Sequence, residues 1–116
     1  MALVDDITKA LQDGAKAGAA AASTGARDLS QDVQNFVVPH LHDIGVHVTS
    51  ILEKRALGIF TDDAARRMIN GQRDSVQVLV DTITSLAAQE AETIVNAIID
   101  ALHQAVNTAL KFALFA

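Results

Sequence analysis

The sequence predicts an all-α protein: an elongated helical hairpin with a long C-terminal helix, joining copies of itself into an oligomeric helical bundle. Three observations lead there. Alanine supplies 21 of 116 residues, against six glycines and one proline, a composition that favours helix over strand. Apolar residues recur at three- and four-residue steps through most of the chain, which is the helical period. The last forty residues are apolar around more of their circumference than a single neighbour covers, which calls for partners on more than one side.

Leu3, Val4, Ile7, Ala10 and Leu11 open the chain at helical spacing and lead into an alanine-rich run from Ala15 to Ala22. Gly14, Gly18 and Gly25 each cost about 1 kcal/mol in a helix, so residues 1–27 are read as an Ala/Gly-rich helix or arm. Asp28 and Gln31 have capping-box spacing. Val33, Val37, Leu41, Ile44, Val48 and Ile51 then mark one face of a helix over 28–57. Pro39 should kink that helix or reset its start. Gly58 offers a C-terminal cap and Thr61 an N-cap, with Asp62 and Asp63 complementing the next helix dipole. Beyond that turn, Ala65, Met68/Ile69, Gln72, Val76, Leu79/Val80 and Ile83 hold one phase across Gly71. A single helix over about 61–115 is therefore expected, which makes residues 28–116 a hairpin.

Within that helix the polar positions Asp81, Ser85, Gln89, Glu92, Asn96, Asp100, His103, Asn107 and Lys111 follow an eleven-residue repeat. Such a stripe stays nearly straight along a helix. A helix from Asp74 to Phe115 would be about 60 Å long, whereas a compact chain of this length has a radius of gyration of about 13 Å. The rod outruns any globule the chain could form. Its apolar residues Ile83, Leu86, Ile94, Ile98, Leu102, Val106, Phe112 and Phe115 are assigned to self-association, and Ile94→Asp or Ile98→Asp is expected to break assembly and stability together. Glu90 lies opposite the polar stripe. It is read as an interior carboxylate paired with Arg27 or with an arginine of another subunit, or else as a proton-linked or register-setting group.

Nine Lys and Arg against 14 Asp and Glu give a net charge of −5, and no basic run or aromatic platform appears, which argues against nucleic acid as a partner. Without cysteine there is no disulfide, thiolate nucleophile or sulfur-ligated metal. Acidic residues stand where a signal peptide carries basic ones, and no apolar stretch is long enough for a bilayer span. A cytoplasmic protein is expected, or one peripheral to a membrane or inclusion.

Five of the nine bases, Lys54, Arg55, Arg66, Arg67 and Arg73, crowd the turn, so the rod is electrically lopsided. Opposed charges on two copies could set their register; the plainer alternative is a solvated turn with local ion pairs. His40, Asp43 and His47 share one side of the second helix and are metal-ligand candidates; the plainer reading has His40 and His47 bordering an interface. No nucleophile, phosphate-loop or zinc-protease motif is present. These features predict a non-catalytic, self-assembling structural or scaffolding protein without a cofactor, whose partner is another copy of itself. The alternative is an amphipathic coat or pore-like protein that meets lipid or another hydrophobic surface.

Overall fold

The computed structural model describes residues 2–23, 28–111 and 114–115, and those residues form helices and turns without a strand. Six helices follow one another: α1 Leu3–Ala22, α2 Ser30–Phe36, α3 Leu41–Ala56, α4 Asp62–Asn70, α5 Gln72–Asp81 and α6 Ala88–Leu110, with a 3₁₀ turn at Val38–His40 between α2 and α3.

Local chemistry sets most of these boundaries. Asp5 and Asp6 occupy the first turn of α1, where carboxylates suit the helix dipole. Asp28 accepts the Ser30 amide at 2.9 Å, while Gln31 donates forward to Asn35 instead of back to the cap. The capping box is thus half formed. Pro39 lies in the 3₁₀ turn and resets the chain into α3. At the end of α3, Gly58 takes φ +77°, and the amides of Gly58 and Ile59 donate to the carbonyls of Arg55 and Lys54. This is a Schellman C-cap. Thr61 Oγ1 then accepts the Ala64 amide at 3.1 Å and starts α4. Gly71 separates α4 from α5, yet its φ of −62° stays helical. Ala65, Ile69, Gln72, Val76 and Val80 are all buried, so one face runs through both segments, as the sequence phase requires.

The helix expected over 61–115 is broken a second time, and there the rod ends. Residues 82–87 form a turn in which Ser85 has φ 61°. Thr82, Thr84 and Ser85 explain the break, because their β-branched or hydroxyl side chains compete with helical backbone bonding. Thr82 Oγ1 indeed donates to the Leu79 carbonyl at 2.6 Å. After the turn α6 runs back antiparallel to α5, with Arg73 of α5 donating to Asn96 of α6. Its 23 residues are about 35 Å long, well short of the 60 Å rod.

Of the two readings of residues 1–27, helix or arm, the described part is a helix. α1 is one helix through Gly14 and Gly18, and its Ile7, Leu11, Ala15 and Ala19 are core residues. It packs most extensively against α6 and next against α3. α1, α3, α4–α5 and α6 thus make an up-down-up-down four-helix arrangement, in which each neighbour is antiparallel and α1 returns to α6. The radius of gyration is 14.3 Å, close to the compact expectation.

α1 and α3 approach closely where Thr8 meets Gly45; a Cβ on Gly45 would fall 2.2 Å from Thr8 Oγ1. That hydroxyl is buried and has no hydrogen-bond partner. Thr8→Val keeps the shape and removes the stranded polar atom. It is expected to raise stability by about 1 kcal/mol, read as a higher denaturation midpoint.

Candidate functional site

Small residues control the α1–α6 seam. A Cβ on Gly14 would stand 2.7 Å from Ala101 Cβ and 3.0 Å from the Ala97 carbonyl oxygen; one on Gly18 would stand 2.9 Å from Ala97 Cβ and 3.0 Å from Ile94 Cα. Two glycines four residues apart therefore face two alanines four residues apart, and the helix backbones touch. The outer flanks of the same helices carry more alanine, so the seam opens to solvent as a shallow groove of about 920 Å³. Ala10 and Ala17 of α1 line it with Ala101, Ala105 and Ala109 of α6, while Asp6, Asp13 and Asp100 stand on its rim with Lys111. The groove lies on the side of α1 away from α3, since Thr8 and Gln12 are the residues that reach α3 and its preceding turn.

The basic turn joins α3 to α4, a different pair of helices from the α1–α6 seam. Arg55 pairs with Asp62, and Arg66 and Arg67 both pair with Asp63. Arg66 also donates to the Leu114 carbonyl at 3.0 Å, Arg73 is held by Asn96, and Lys54 Nζ sits 5.8 Å from the Phe60 ring centre. Local pairing thus accounts for most of the cluster. The sequence did not single out Leu57 and Ile59 in the same turn, which are 76% and 62% exposed.

His40, Asp43 and His47 line a pocket of about 300 Å³ with Gln72, Ser75 and Leu79. Among the described residues, no group of three or more His, Asp or Glu side chains is placed to hold a metal ion.

The residues assigned to self-association have other work in the chain. Ile83, Ile94, Ile98, Leu102 and Val106 are buried within the monomer, and Leu86 is half-buried against the same core. Glu90 accepts the Ala87 amide at 2.9 Å, capping α6 at its N-terminus, where the first four amides of a helix have no intrahelical partner. Arg27 and Phe112 lie outside the described residues. Phe115 is buried and stacks on His103 with ring centres 4.0 Å apart. Asn107 fastens that segment: its carbonyl oxygen accepts the Leu114 and Phe115 amides, and its amide donates to the Phe115 carbonyl.

His103 Nε2 donates to Asn70 Oδ1 at 2.8 Å. Burial holds its pKa below the usual imidazole value; Asp100 opposes that shift and Arg73 adds to it. The folded state thus favours the neutral ring, and this contribution is present above the unfolded pKa of about 6.5 and lost as pH falls. Thermal melts from neutral to mildly acidic pH should show stability falling with acid, and His103→Phe should flatten that slope.

No family model matches the chain, and the searches of curated proteins and of solved structures return no match either.

Proposed function

We propose that this protein is a non-catalytic helical self-assembly module, a structural or scaffolding unit whose copies associate through the α1–α6 groove. The observation that carries this reading is the groove itself: a contiguous alanine floor, open to solvent on the seam of the closest-packed helix pair. An apolar floor with a polar rim, carried by two rigid helices, is a surface that a second copy can cover. The apolar face of α6 that first suggested assembly is used up inside the bundle, so the contact moves to the outer flank of the same helix. The lipid-coat alternative rested on that same α6 face, which α1 now covers. Among the described residues no helix is long and apolar enough to cross a membrane.

Sedimentation velocity from low micromolar to submillimolar concentration tests the proposal. Oligomers should form, and Ala17→Arg/Ala109→Arg should disperse them while leaving the helical circular dichroism unchanged, because both alanines are exposed and arginine is a good helix former. A wild-type chain that stays monomeric throughout would sink the reading. So would a groove variant that assembles like wild type.

A further inference from the structure

We propose that the groove is occupied by the basic turn of a second copy, with Leu57 and Ile59 docking head-to-tail on the alanine floor between α1 and α6 of the next chain. The inference rests on the reading of the groove as an assembly surface and adds which part of the chain fills it.

The turn is built to project. Gly58 in the left-handed region and the two Schellman hydrogen bonds fix the backbone, yet the flanking leucine and isoleucine remain largely exposed instead of folding back on α3. A rigid turn loses little conformational freedom when it docks. Leucine and isoleucine side chains are knobs, and a floor of methyl groups leaves room to receive them.

Charge matches as well. Residues 53–73 carry five bases against three acids in a chain whose net charge is −5, so bases stay in excess there after Arg55, Arg66 and Arg67 pair with Asp62 and Asp63; the groove is lined by Asp6, Asp13 and Asp100 with Lys111, Asp13 being paired with Lys9 at 2.8 Å. Lys54 lies in the last turn of α3, where its carbonyl accepts the Ile59 amide, and the Arg67 side chain on α4 is 80% exposed. Opposed potentials of this kind set orientation more than affinity.

Topology makes the contact intermolecular. The turn joins α3 to α4, and the groove lies across the bundle between α1 and α6, so one chain cannot fill its own groove. A contact between two different surfaces is heterologous and propagates into a ring or an open filament. Each added copy leaves one turn and one groove free.

Mixing complementary variants is the test. A turn variant, Leu57→Ser/Ile59→Ser, keeps a working groove; a groove variant, Ala17→Arg/Ala109→Arg, keeps a working turn. Each alone should need at least about tenfold more protein to assemble than wild type. Mixed, they should form a one-to-one dimer that does not grow, measured by light scattering coupled to size exclusion. If the groove variant is monomeric but the turn variant assembles normally, the groove reading stands and the turn is not its occupant. Absence of the mixed dimer when each variant alone is monomeric overturns the head-to-tail pairing. Wild-type chain that never assembles removes both readings. Binding to phosphatidylserine vesicles that is lost in the turn variant while its assembly is unchanged would assign the turn to lipid and end the proposal. Should the serine pair disturb folding, Lys54→Glu/Arg67→Glu probes the same surface by charge. It must weaken assembly for the proposal to survive.

Discussion

Gly18→Leu is expected to lower stability by about 4 kcal/mol or more, a large part of the 5–15 kcal/mol that holds a domain of this kind together. The first added carbon alone would sit 2.9 Å from Ala97 Cβ and 3.0 Å from Ile94 Cα. Neither atom is the end of a flexible side chain, so the clash cannot be relieved by a rotamer change. α1 and α6 must move apart, and separation loosens the packing of Leu11, Ala15, Ile94 and Ile98, which are all fully buried. Ordinary overpacking costs about 1–3 kcal/mol, and a clash against backbone lies beyond that range. Urea titration should show a lower midpoint with an unchanged slope. Ala20→Leu is the matched control: it adds the same kind of bulk to the exposed side of α1 and should shift stability by no more than about 0.5 kcal/mol. Equal effects at the two sites would mean that α1 and α6 are not in backbone contact.

That seam also marks where reading the sequence stops. Gly58, Thr61 and the phase from Ala65 to Val80 are legible because each depends on residues within a turn or two. Gly14 and Gly18 are equally visible, but as isolated residues they register only as a cost to helix propensity. Their value lies in the distance they allow to Ala97 and Ala101, some eighty positions away, and nothing local reports it.

The break at 82–87 is a different case. The polar stripe passes through Ser85 in phase, so periodicity alone carries the helix across. The signal was the cluster Thr82, Thr84 and Ser85, with Glu90 placed to accept the Ala87 amide and restart the helix. Once the chain turns there, α6 returns along the bundle and its apolar face is met by α1. Only an unbroken rod would leave the C-terminal half uncovered. The groove was illegible for the same reason, since Ala10 and Ala17 join Ala101, Ala105 and Ala109 only after both helices have been placed.

Ile98→Asp is expected to unfold the chain near neutral pH instead of merely dispersing an oligomer. Ile98 is fully buried, and its Cα lies where a Cβ on Gly14 would come within 3.3 Å. The surrounding seam is made of alanine, glycine and aliphatic side chains, so a carboxylate there meets neither water nor a cation. An unpaired charge in such a place costs several kcal/mol, on top of the packing lost with the isoleucine. Together these losses are on the order of the domain's whole stability.

Acid should relieve part of the defect. A buried aspartate has its pKa raised in the folded state, so the folded chain holds its proton more tightly than the unfolded one. Stability is then greatest below the unfolded pKa of about 3.9 and is lost as pH rises toward the folded value. Measured against Ile98→Asn at each pH, Ile98→Asp should be the less stable of the two at pH 7, and the gap should close as pH is lowered. That comparison cancels the acid sensitivity contributed by His103. A gap that does not change with pH would show the carboxylate reaching solvent, which requires α6 to turn a different face toward α1.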